Sequence, residues 1–158
     1  MSSIDKVGVI GGGLMGSGIT EVAARAGLDV IVIEINADAA KAAAERVEGS
    51  LRRAESRGKI ESAEVTAVLD RIRFETDLET LADRDLVVEA ASEDEQIKLD
   101  LFRTLGTILT KDDAILASNT SSIPIVKLGR CPVGRTTSWV CTSSTQHPSC
   151  SSSSSYRR

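Results

Sequence analysis

The segment Val9-Ile10-Gly11-Gly12-Gly13-Leu14-Met15-Gly16 constrains this chain more than any other. A short apolar run, Lys6-Val7-Gly8-Val9-Ile10, leads directly into G-x-G-x-x-G, and a helical pattern opens at Leu14. Gly11 allows a tight turn, Gly13 lets another group approach the backbone, and Gly16 lets helix pack closely on strand. A strand that passes at once into a helix reaches its next neighbour by a crossover, so the sheet around it is parallel.

The first 128 residues supply that sheet. Apolar and β-branched runs predict strands over 6–10, 29–33, 72–74, 85–89 and 114–117. Helices are predicted over 14–26, with Gly27 at the C-cap, and over 38–57, 63–70 and 96–109. Ile97, Leu101, Leu105 and Ile108 carry the helical period of the last. Strands alternating with helices make an α/β fold, a Rossmann-type doubly wound parallel sheet covered on both faces.

In such a sheet the amides of Leu14 and Met15, at the helix start, face a pyrophosphate. Glu34 closes the second strand, about 20 residues beyond the glycines, where an acid accepts both ribose hydroxyls of a dinucleotide. A carboxylate there repels a 2′-phosphate, so the expected cofactor is NAD rather than NADP. The cofactor residues are Gly11, Gly13, Leu14, Met15, Gly16 and Glu34. The plainer alternative is a sharp turn beside a solvated strand end, and it leaves the spacing, the order and the acid unexplained.

Charge narrows the partners. The net charge is −4 and the basic residues gather into no stripe, so neither nucleic acid nor an anionic membrane is expected. No apolar run approaches the roughly 20 residues that span a bilayer. Residues 1–6 lack the charged-then-apolar layout of a secretory signal, and the expected location is the cytoplasm.

After residue 128 the composition turns to Arg, Thr, Cys and Ser. Cys131, Cys141, Cys150 and His147 all lie there, too widely spaced for the close ligand pairs of a metal site, so no metal is expected. Composition alone reads as a disordered Ser-rich extension. The expected organisation is a dinucleotide-binding domain over 1–128 and an unstructured tail over 129–158.

Two more segments lie at strand ends, where open α/β sheets bind ligands. One is Leu86-Val87-Val88-Glu89-Ala90, leading through Glu93 to a helix carrying Lys98; the other is Ala117-Ser118-Asn119-Thr120-Ser121-Ser122-Ile123. With the glycine segment, they resemble the 3-hydroxyacyl-CoA dehydrogenases, of the 3-hydroxybutyryl-CoA type, over 1–128. The resemblance implies oxidation of a 3-hydroxyacyl-CoA to the 3-ketoacyl-CoA in fatty acid metabolism, with hydride passing to NAD, and a homodimer for full-length members. By matching position, Glu93 and Lys98 contact the cofactor, Ser121 hydrogen-bonds the substrate oxygen, and Asn119 shapes that loop. Ser50 and Arg57 face the CoA moiety. Plainer roles stand beside these: an exposed ion pair, a helix cap ahead of Ile123-Pro124, and a solvated arginine. Two other functions stay open, a stand-alone NAD-binding or sensor domain and another β-hydroxyacid dehydrogenase. The 118–122 segment argues against the second.

The family's general base is a His within Gly-Leu-His-Phe-Phe-Asn-Pro, oriented by a Glu further on, and a His near neutral pKa suits that task. Neither segment occurs in these residues, nor does the helical substrate and dimerisation domain, and His147 stands in an unrelated Gln-His-Pro-Ser setting. The genetic code offers a reason. When the last base of each codon is joined to the first two of the next, Trp139 to Val140 forces Gly. Val140 to Cys141 permits Leu, and Cys141 to Thr142 permits only His or Tyr. The steps from Thr142 through Gln146 permit Phe, Phe, Asn and Pro in turn, and the serine run permits Leu-Val-Glu-Leu. A frameshift between about residues 128 and 136 is therefore expected, with the tail read in the wrong frame and little activity in the chain as it stands.

Overall fold

The computed structural model describes residues 3–91 and 94–120, together with the backbone of 138–141. The strands are β1 (Lys6–Ile10), β2 (Asp29–Ile33), β3 (Ile72–Glu75), β4 (Leu86–Glu89), β5 (Ile115–Ser118) and β6 (Ser138–Cys141). The helices are α1 (Leu14–Arg25), α2 (Ala37–Ser56), α3 (Ser62–Leu69) and α4 (Glu95–Ile108), with a 3₁₀ turn at Leu78–Leu81. The sheet runs β3-β2-β1-β4-β5-β6 and every pairing is parallel. The order reverses between β1 and β4, the switch point at which doubly wound sheets hold dinucleotides.

Both faces of the sheet are covered, which is why its strands read as unbroken apolar runs. Val7, Val9, Val30 and Val32 face Val47 and Leu51 of α2 and Val65 and Val68 of α3. The alternate residues Ile10, Ile31, Ile33 and Val87 face Phe102 and Leu105 of α4 and Leu81 of the 3₁₀ turn. Each such side chain contributes about 1.5–3 kcal/mol by leaving water.

Helix boundaries follow local chemistry. Asn36 caps α2 by accepting from the Ala39 amide at 2.8 Å, and Asp94 caps α4 by accepting from Ile97 at 3.0 Å. Gly27 ends α1 at φ +92°, and the Gly27 and Leu28 amides return to the carbonyls of Ala24 and Ala23. The predicted elements fall within a residue of those observed. The sequence pattern does not announce the 3₁₀ turn: Leu81 and the partly buried Leu78 anchor it to the core, and Asp77 holds it by accepting from the Glu79 amide at 3.0 Å.

The amino ends of the strands are tied by acids. Asp85 accepts from the amides of Asp5 at 3.0 Å and Lys6 at 2.8 Å, and pairs with Lys111. Burial pushes the Asp85 carboxyl up, but these donors outweigh it and the net shift is downward. Lys6, helped by Arg84, holds the neighbouring Asp83 down to about 2.

The tail expected to lack structure covers 129–158. Within that stretch Ser138–Cys141 run parallel beside β5 as β6. The β-prone Trp139 and Val140 fall next to the open edge of β5, and a four-residue ladder there needs only backbone hydrogen bonds. Among the described residues no helix is long and apolar enough to cross a membrane.

Candidate functional site

The carboxyl end of β1 opens into the glycine loop. Gly11 has φ +91°, and a Cβ there would lie 2.8 Å from the Ala90 carbonyl oxygen, so the turn admits glycine alone. A Cβ on Gly16 would lie 1.7 Å from the Gly11 carbonyl oxygen, which puts α1 directly on the turn. Gly13 differs: a Cβ there would meet no protein atom within 4 Å, so this part of the loop faces open space. Gly13 is also the N-cap of α1, no side chain caps the helix, and its first turn holds no acid. The amides at this end are therefore offered outward with the positive end of the helix dipole, as an anionic pyrophosphate requires. Leu14 and Met15 flank them, 84% and 52% exposed.

Glu34 follows β2 and comes back to the same loop. Its Oε1 accepts from the Gly12 amide at 2.6 Å, leaving the other oxygen for a ribose hydroxyl. The Gly12 carbonyl accepts from the buried Ser17 hydroxyl at 2.7 Å and also from Arg46 of α2. Ile35, the next residue, is 88% exposed, an apolar surface beside the acid. The loop and Glu34 were legible in the sequence. The parts played by Gly12 and Arg46 were not, because they arise only where Glu34 and α2 close on the loop.

A second cluster lies across the switch point, at the ends of β4 and β5. Glu89 and Lys98 are 0% and 1% exposed, and Lys98 Nζ donates to both carboxylate oxygens of Glu89 at 2.6 Å. Ser118 donates to Glu89 Oε2 at 2.6 Å and the Ala91 amide donates to Oε1 at 2.7 Å. The Asn119 amide donates to the Glu89 carbonyl at 2.8 Å. Glu89 thus fixes α4, the end of β5 and the loop after β4 through its carboxylate, and the start of the loop after β5 through its carbonyl. The plainer reading of Lys98, an exposed ion pair with Glu93, does not survive: its ammonium is buried on Glu89. Sequence reasoning missed this partner because it joins a strand to a helix rather than two helical neighbours.

Asn119 is half-buried at the carboxyl end of β5, on the same edge as the glycine loop. Ser50 is half-buried within α2, and Arg57, its C-cap residue, is exposed. Among the described residues no hydrogen bond joins either to the glycine loop. Glu93 and Ser121 lie outside the described residues. The Gly11–Gly16 loop, Glu34, Glu89, Lys98, Ser118 and Asn119 therefore line one edge of the sheet, and its open loop, outward amides and acid fit a dinucleotide.

Residues 6–137 match the family model of the 3-hydroxyacyl-CoA dehydrogenase NAD binding domain. The chain is 49% identical over 126 residues to a 3-hydroxybutyryl-CoA dehydrogenase of Mycobacterium tuberculosis, covering 80% of this chain and 44% of that protein. It is 51% identical over 123 residues to a probable 3-hydroxybutyryl-CoA dehydrogenase of Deinococcus radiodurans, covering 78% and 44%. Among solved structures, M. tuberculosis FadB2 superposes with a TM-score of 0.79 at 49% identity, covering 80% of this chain and 45% of that one. The chain spans about 44% of the length of the curated relatives it matches.

Proposed function

The chain belongs to the 3-hydroxyacyl-CoA dehydrogenase family as its NAD-binding domain, and from that premise we propose that it serves the NAD-dependent oxidation of 3-hydroxyacyl-CoA, 3-hydroxybutyryl-CoA in particular, to the 3-ketoacyl-CoA. The observation that carries this reading is the uncapped start of α1 at the glycine loop, with the Glu34 carboxylate 2.6 Å from the Gly12 amide beside it. When bound there, NAD supplies the acceptor for the hydride that leaves C3 of the substrate.

The chain's own residues bind and orient. Gly11, Gly13 and Gly16 shape the turn, the amides of Leu14 and Met15 face the pyrophosphate, and Glu34 accepts from the adenosine ribose. Glu93 and Lys98 serve the nicotinamide side, Lys98 from its seat on Glu89. Ser121 donates to the reacting oxygen and Asn119 holds the loop that carries it. Ser50 and Arg57 contact the CoA moiety along α2. The setting is fatty acid metabolism in the cytoplasm, and the full-length enzyme is a homodimer.

The general base lies outside what these residues provide. We place its loss in a frameshift between about residues 128 and 136, which divides the chain into a domain over 1–128 and an out-of-frame tail over 129–158. The nucleotide sequence tests this directly: the adjacent frame should read Gly-Leu-His-Phe-Phe-Asn-Pro across residues 139–146. A frame without that His would leave the tail as the gene's own.

For the domain, the deciding experiment is a fluorescence titration of the chain with NADH and NADPH. NADH should bind at least about tenfold more tightly, since the 2′-phosphate meets a carboxylate and loses the ribose hydrogen bond. Equal affinities would remove the role given to Glu34.

A further inference from the structure

The glycine loop carries a cation that its own structure does not need. Arg46, exposed on α2, donates to the Gly12 carbonyl, while the Glu34 carboxylate accepts from the amide of the same residue. One residue of the loop thus has an acid on its N–H and a guanidinium on its C=O. The carbonyl is already satisfied by the buried Ser17 hydroxyl at 2.7 Å, so losing the arginine would leave no unmet acceptor. α2 lies close here: a Cβ on Gly12 would come within 2.4 Å of the Ala43 Cβ and 3.1 Å of Glu34 Oε1. Arg46 follows Ala43 by three positions on that helix and therefore faces the same loop residue that Glu34 holds.

We propose that Arg46 is a specificity-determining residue, a latent partner for a 2′-phosphate that Glu34 keeps out. The proposal rests on Glu34 as the ribose-binding acid and adds to it. An exposed guanidinium with a dispensable bond can turn its fork onto a phosphate, for which its planar donors are suited. Choice of NAD over NADP in this chain then depends on one carboxylate. The second requirement for NADP, a nearby cation, is already met.

The test uses the 158-residue chain and titrates NADH and NADPH against wild type, E34S, E34S/R46A and E34S/R46K. NADH binding in each variant reports that the fold persists. E34Q, which keeps an acceptor for the Gly12 amide, replaces E34S if the serine variant fails to bind NADH. E34S should bind NADPH about tenfold more tightly than wild type does, R46A in that background should take the gain away, and R46K, which keeps the charge but not the fork, should keep only part of it. NADH affinity should change little between E34S and E34S/R46A. Equal NADPH affinity in those two variants overturns the proposal and leaves the role of Glu34 standing. Equal affinity of wild type for NADH and NADPH overturns the role of Glu34 itself, and the proposal with it.

Discussion

Lys98 and Glu89 share a contact from which water is excluded on both sides, and the energy of such a pair lies in its completeness. Desolvating two ions roughly offsets their attraction, so the pair adds little over two apolar residues. Removing one member leaves the other charged and buried. Lys98→Ala should therefore cost about 3–5 kcal/mol, whereas Lys98→Met with Glu89→Leu, which removes both charges, should cost clearly less. Urea unfolding of the single and double variants checks this, and a single variant within about 1 kcal/mol of wild type would show that water reaches Glu89. The contrast with Glu34 also marks what residue patterns can tell. Gly11, Gly16 and Glu34 are legible because each answers a demand set by near neighbours: a turn, a close helix, a strand end. Glu89 looks like the same kind of strand-end acid, yet it is consumed inside the protein. The difference lies in which helix packs over it, and no local pattern carries that.

At the scale of elements, the helices differ in how their amino ends are satisfied. Asn36 and Asp94 cap α2 and α4, while α1 has no side-chain cap and ends on the open glycine loop. Helix α3 also lacks a side-chain cap, but α1 is the helix that begins on the open glycine loop, so in the proposed complex the cofactor would take the place of a cap. Strand positions were legible because burial on both faces leaves continuous apolar runs. The 3₁₀ turn and the strand-end stitching were not, since the first turns on a local bond from the Glu79 amide to Asp77 and the second on Asp83 and Asp85 finding distant donors in Lys6 and Lys111. That stitching has a pH signature. The folded carboxyls of Asp83 and Asp85 lie below their unfolded values, Asp83 at about 2. Their contribution is thus fully present above about pH 4 and is lost as pH falls below it, for Asp83 toward about 2. D83N/D85N should lower the urea midpoint at pH 7 and flatten its decline between those values. An unchanged slope would mean that other carboxylates govern acid unfolding.

At the scale of the molecule, β6 lies in the stretch that we propose is read out of frame. Its four residues extend the sheet from an edge, held by one neighbour, so the ladder should open more readily than β1, which is paired on both sides. Amides of 138–141 should exchange hydrogen well before those of β1. Protection equal to β1 and extending to Cys150 would show a tail with a fold of its own and would count against the frameshift.

Under that proposal the frame also decides catalysis. As it stands, the chain should bind NADH yet oxidise 3-hydroxybutyryl-CoA at almost no measurable rate, because no group on it is assigned to take the hydroxyl proton as hydride leaves. A lost general base costs about 10²–10⁴ in rate, and lost substrate positioning adds to that. Restoring the frame near residue 130 should return the base, its orienting Glu and the second domain together, and with them turnover. In the restored protein Ser121→Ala should lower kcat with NADH affinity little changed, since its bond goes to the reacting oxygen rather than to the cofactor. A loss of NADH affinity instead would move Ser121 from the substrate to the cofactor. Turnover by the untouched chain at an ordinary enzymatic rate would require a base from elsewhere in the chain. The fold and the cofactor would then stand while the assignment of catalytic roles fell.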